Sequence, residues 1–127
     1  LPTPAIISIV DDDDYVRLSL GSLLRSYGYT IQLFDSAEHF LCSELIGVTD
    51  CLISDIQMPG MSGLNMCEHL IAQGVQIPVI FMTASAEPAP RLAAQRLGAA
   101  GYLTKPFDEQ PLVACIQAAL NSGRSEA

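Results

Sequence analysis

Two rhythms of apolar and polar positions alternate along the chain. Five short apolar runs read as strands: "AIISIV" (5–10), "TIQLF" (30–34), "CLIS" (51–54), "PVIFMT" (78–83) and "GYLT" (101–104). Helical spacing fills the stretches between them. Val16, Leu20, Leu23, Leu24 and Tyr27 recur on one face of a helix, and Gly28 then supplies a C-terminal cap. Leu64, Cys67, Leu70 and Ile71 form a second such face, closed by Gly74, and Leu112, Ile116, Ala119 and Leu120 form a third. "SAEHFLCSELI" and "RLAAQRL" predict shorter helices.

Five strand–helix repeats of this length predict an α/β domain with a parallel sheet. The runs at 5–10, 51–54 and 78–83 are continuously apolar, as strands covered by helices on both faces must be. "TIQLF" holds a polar residue and "GYLT" is short, which suits edges. With right-handed crossovers the economical strand order is 2-1-3-4-5. The expected fold is therefore flavodoxin-like (CheY-like): a doubly wound, five-stranded parallel sheet with five helices. No repeat, low-complexity tract or internal linker interrupts it. The pattern predicts one domain over 1–127, with its core at 5–120 and "NSGRSEA" (121–127) as a frayed tail or the start of a linker.

Composition narrows the classes. No apolar run approaches the roughly 18 residues of a membrane span, and "LPTPA" has neither a basic start nor a signal-peptide core. A cytoplasmic protein is expected. The net charge is −8 with only six Lys and Arg, which argues against direct nucleic-acid binding, because phosphate contacts need basic groups. Cys42, Cys51, Cys67 and Cys115 form no C-x-x-C pair and lie in apolar segments, so they read as small buried hydrophobes.

Charge becomes informative once it is placed on the fold. In this strand order the first and third strands are neighbours, and a crevice opens beyond their carboxyl ends. Asp11 and Asp12 follow strand one, and Asp55 follows strand three in "LISDIQMPGMSG". Carboxylates 4 Å apart repel by roughly 4 kcal/mol at an effective dielectric of 20. A cation relieves that repulsion, and oxygen-only ligands point to Mg²⁺ or Mn²⁺. The next two acids have a simpler explanation. Asp14 is expected to cap the first helix, with Asp13 close to its positive end. Thr83 ends strand four beside two small residues, and Lys105 follows strand five before a proline. Carboxylates, a hydroxyl and an ammonium at successive strand ends compose a phosphoryl site with a carboxylate nucleophile.

"VDDDD", "DIQMPGMSG", "MTAS" and "GYLTKPF" stand in an order and spacing that resembles the receiver domain of bacterial two-component response regulators, over about residues 5 to 120. "SAEHFL", "MPGMSG" and "TKPFDEQPL" are most similar to the FixJ-like branch. The resemblance implies that Asp55 accepts a phosphoryl group from a cognate histidine kinase. It implies that Asp12, Asp55 and the backbone carbonyl of Gln57 bind Mg²⁺, with Asp11 holding a metal-bound water. Lys105 would pair with the phosphoryl group and Thr83 would close onto it. Tyr102 matches the family's switch aromatic, and Lys105–Pro106 its cis peptide. Members of that branch usually control transcription through a C-terminal helix-turn-helix, which is absent from these 127 residues. The implied partners are that output domain and a second receiver, paired on phosphorylation.

Some features are particular to this chain. Pro90 suits the first turn of the fourth helix, whereas Pro88 is expected to delay that helix and lengthen the loop after Thr83. Pro111 fits the first turn of the last helix. His39 and His69 lie on predicted helices without a partner pattern, and Met58, Met61, Met66 and Met82 read as loop or packing residues. Two other functions compete. A phosphatase of the haloacid dehalogenase type also uses a strand-end Asp and Mg²⁺, but needs a second acid two residues later, where this chain has Gln57. A phosphorylation-independent interaction domain would not need the complete acid, Thr and Lys set.

Overall fold

The computed structural model describes residues 4–124. Its elements follow in the order β1 (Ile6–Val10), α1 (Asp14–Ser26), β2 (Thr30–Phe34), α2 (Ala37–Leu41), a 3₁₀ turn (Ile46–Val48), β3 (Cys51–Asp55), α3 (Gly63–Ala72), β4 (Val79–Thr83), α4 (Pro88–Arg96), β5 (Gly101–Thr104) and α5 (Glu109–Arg124). The sheet is parallel, in the order β2-β1-β3-β4-β5, as the run lengths predict.

Successive strand residues point to opposite faces, so each central strand feeds two cores. Ile7, Ile9, Ile53, Ile80 and Met82 pack with Leu20, Leu24, Leu112 and Ile116 from α1 and α5. On the other face, Val10, Leu52 and Phe81 pack with Phe40, Met66, Leu70 and Ala94 from α2, α3 and α4. Every residue of β3 and β4 is buried, while β5 is half-buried up to an exposed Thr104. Among the described residues, no helix is long and apolar enough to cross a membrane.

Several boundaries differ from expectation, each for a local reason. Asp13, not Asp14, caps α1: its carboxylate accepts from the N–H groups of Tyr15 and Val16, while Asp14 lies in the first turn. The Asp11 carboxylate takes the Asp13 N–H at 2.9 Å, which places the turn one residue earlier. Pro88 starts α4 rather than delaying it. A residue before proline favours extended backbone, and Glu87 adopts it at φ −64°, ψ 141°. Both prolines then occupy the first turn, where no N–H is required. "SAEHFLCSELI" yields one short helix, capped by Ser36, and then the 3₁₀ turn. The expected frayed tail is helical through Arg124, and its last three positions lie outside the described residues. Cys42 is exposed rather than buried, whereas burial pushes the Cys51 thiol up to about 12, with smaller contributions from Asp50 and Cys115.

Candidate functional site

The parallel sheet places every strand's carboxyl end on one side, and three carboxylates converge there. One oxygen each from Asp11, Asp12 and Asp55 lie within 4.8 Å of one another. Asp11 is fully buried, Asp55 is 8% exposed and Asp12 is open to solvent. The sheet's hydrogen bonding continues past the strands: Asp11 N–H donates to the Phe34 carbonyl, Ile56 N–H to Met82 and Lys105 N–H to Thr83. Register alone therefore fixes where the acids, Thr83 and Lys105 emerge.

Beyond Asp55 the chain must turn sharply into α3. Gly63 permits it: a Cβ there would lie 2.2 Å from the Asp55 carbonyl oxygen and 2.8 Å from Ser54 Oγ. Gly63 N–H donates to the Ile56 carbonyl at 3.0 Å, closing the turn. The Ser62 side chain caps α3 by accepting from Asn65 N–H.

Lys105 crosses the crevice. Its Nζ lies 3.1 Å from Asp11 Oδ2 and 3.5 Å from Asp55 Oδ2. Burial pulls the ammonium's pKa down, but hydrogen bonding and charge attraction from Asp11, then Asp55, outweigh it and leave it above the ordinary lysine value. Asp55 moves the other way from a usual paired acid. Burial raises its pKa most, Lys105 opposes that, Asp11 and Asp12 add to it, and the Gln57 backbone N–H opposes it. Three carboxylates facing one ammonium leave two negative charges uncompensated, the charge of one divalent cation. The donor set thus fits Mg²⁺ or Mn²⁺ in number, hardness and charge.

The remaining residues expected at the site are present, with one correction. Thr83 is fully buried, and its hydroxyl does not stand free in the crevice: Oγ1 accepts from Ser85 N–H at 3.1 Å. Tyr102 packs against the α2–α4 core, and its hydroxyl oxygen is buried without a hydrogen-bond partner. The Lys105–Pro106 bond is cis. His39 pairs with Asp35 at 3.2 Å and packs edge-on against Phe34, outside the acid cluster; His69 is exposed on α3.

Sequence reading missed three supporting side chains. Arg17 donates to the Asp11 carbonyl at 2.7 Å and pairs with Asp14, and its position three residues after Asp14 was the available signal. Arg91 on α4 lies 5.3 Å from the Tyr102 ring centroid, and Glu38 on α2 reaches the loop after Asp55. Neither has a signal in local spacing. At the opposite end of the sheet a hollow of about 760 Å³ opens between the ends of α3 and α4, but no charged residue lines it.

Fold and site together define the class as a doubly wound α/β domain with three acids and one lysine in its switch-point crevice. The comparisons with known proteins agree and go further. Residues 7–117 match the response regulator receiver domain family. The transcriptional regulatory protein FixJ of Azorhizobium caulinodans is 38% identical over 98% of this chain, and the response regulator protein TodT of Pseudomonas putida 40% identical over 91%. This chain spans 58% and 51% of those two proteins, respectively. Among solved structures, the response regulator StyR aligns with a TM-score of 0.90 at 37% identity, over 97% of this chain and 62% of that one. The chain belongs to the response regulator receiver domain family, and the relatives named above are a transcriptional regulatory protein and two response regulators.

Proposed function

We propose that Asp55 is the phosphoacceptor of this receiver, which takes its phosphoryl group from a cognate histidine kinase. The observation that carries the reading is the convergence of Asp11, Asp12 and Asp55 with Lys105 at the crevice between β1 and β3. An Asp55 carboxylate oxygen attacks phosphorus, the bond from phosphorus to the donor breaks, and an aspartyl phosphate forms. Asp12, Asp55 and the Gln57 carbonyl would hold Mg²⁺ or Mn²⁺, with Asp11 acting through a water. The cation supplies charge neutralisation for the incoming group. Lys105, already near Asp55, then pairs with the new negative charge. Gln57 cannot serve as the second acid of a phosphatase, so the domain turns over no external ester and acts as a signalling phosphoacceptor.

The response starts at Thr83. A phosphoryl oxygen offers its hydroxyl a charge-assisted bond in exchange for the Ser85 N–H contact. That shift changes the packing beside Tyr102 and reshapes the surface of α4, β5 and α5. An output domain, such as a helix-turn-helix, or a second receiver would read that surface, in a cytoplasmic regulator whose single receiver domain has its core at residues 5–120. With acetyl phosphate and Mg²⁺ the intact mass should rise by one phosphoryl group, and Asp55→Asn should abolish the gain. Equal phosphorylation of that variant on another aspartate would show the assignment wrong.

A further inference from the structure

The loop at 56–62 carries Gln57, and backbone bonds secure only its two ends. Ile56 N–H donates to Met82, and Gly63 N–H donates to Ile56. Its middle is held from a different element. Glu38 Oε2 accepts from Met61 N–H at 3.2 Å, across 23 positions of sequence. The adjacent Gly60 has φ +78°, and a Cβ there would lie 2.6 Å from the same Glu38 oxygen. The carboxylate thus occupies space that a side chain at position 60 would take. Glu38 itself stands on firm backbone, because Ala37 and Phe40 on either side are fully buried and Ser36 caps the helix by accepting from His39 N–H at 3.0 Å.

We propose that Glu38 is a positioning residue for the loop at 56–62: by holding Met61 N–H it fixes the path of the Gln57 backbone beside Asp55. The inference rests on the reading of the crevice as a metal-dependent phosphoacceptor site. Glu38 touches neither cation nor phosphoryl group. Its contribution adds to the packing of Met58 and Met61 against the α2–α4 core: one more fixed point on the loop that carries a ligand lowers the ordering cost of binding.

The test separates acceptor from charge. Glu38→Gln keeps an acceptor of the same reach, Glu38→Asp keeps the charge but is one methylene short, and Glu38→Ala removes both. Mg²⁺ affinity by titration calorimetry and hydrogen exchange of the Met61 amide in metal-free protein provide two readouts. Glu38→Ala and Glu38→Asp should each weaken Mg²⁺ binding about fivefold, the equivalent of one net hydrogen bond, and speed Met61 exchange. Glu38→Gln should match the parent in both. Parent-like Mg²⁺ affinity in Glu38→Ala, or a Glu38→Gln variant as weak as Glu38→Ala, overturns the inference while leaving the site intact. A parent protein that binds no Mg²⁺ overturns the reading of the crevice and this inference with it.

Discussion

β1 and β3 present Asp11, Asp12 and Asp55 from backbone with little freedom, whereas the wall that carries Thr83, Tyr102 and Lys105 joins the buried β4 to an edge strand, β5, that is less completely tied down. On the acidic wall, Asp11 accepts from Asp13 N–H, Arg17 holds the Asp11 carbonyl, and α3 presses against Asp55 through Gly63. On the other wall, β5 is a half-buried edge and α4 begins without a side-chain cap bond. The Thr83 hydroxyl rests on one loop N–H, and the Tyr102 hydroxyl has no partner. Gathering like charges needs backbone that cannot relax away from the repulsion. A response needs the reverse, two arrangements of similar free energy. The crevice joins one wall of each kind.

The largest effect should come from disturbing the rigid wall. Gly63→Ala puts a methyl group 2.2 Å from the Asp55 carbonyl oxygen, a backbone atom that cannot swing aside. Overpacking of that kind should cost about 3 kcal/mol, measured by urea unfolding. A cost below about 1 kcal/mol would show that the acidic wall yields as readily as the other.

Metal binding should sharpen the contrast at slightly smaller scale. Because the cation meets carboxylates that are already gathered, Mg²⁺ at a hundredfold excess over Kd should stabilise the fold by about 2.7 kcal/mol. Asp12→Ala should lose that gain in thermal melts. An undiminished Mg²⁺ response in the variant would place the cation elsewhere.

These walls were not equally legible in the sequence. Residues at strand ends are placed by the sheet, so the apolar run lengths sufficed to bring Asp11, Asp12, Asp55 and Lys105 to one crevice and to put Thr83 at the end of β4. The exact cap was not readable, because Asp13 and Asp14 have the same capping chemistry and a tertiary detail, the Asp11 carboxylate on Asp13 N–H, selects between them. Pro88 opens α4, against expectation, because Glu87 takes the extended backbone that lets a proline begin a helix, a conformation that local spacing does not reveal. The contacts from Glu38 to Met61 and from Arg91 to Tyr102 depend on the gap between separate elements, which periodicity does not encode.

Thr83→Ala tests whether the second wall carries the response. Asp55 should remain phosphorylatable, since the acids and Lys105 are untouched. The coupling to the surface should fall by about 1–3 kcal/mol, the usual range between two sites. The measurement is amide exchange near Tyr102 with and without phosphorylation. A full response in Thr83→Ala would route the signal through another residue.

The smallest expected effect concerns Tyr102, and it has an unusual sign. A buried hydroxyl without a partner has lost its water and gained nothing, at a cost of about 1–3 kcal/mol. The ring itself is well used: it packs on the α2–α4 core and lies 5.3 Å from the Arg91 guanidinium carbon, within range of a cation–π contact. Phenylalanine keeps the ring and its stacking partner and removes only the unpaired oxygen. Tyr102→Phe should therefore stabilise the unphosphorylated protein, by about 1 kcal/mol once the slightly weaker cation–π contact and the small void are subtracted. If the hydroxyl gains a partner when Thr83 shifts, the substitution should also reduce the response to phosphorylation, because it stabilises only the resting arrangement. Equal or lower stability of Tyr102→Phe in chemical unfolding would mean that the hydroxyl is already satisfied, and the second wall would then be as fully paired as the first.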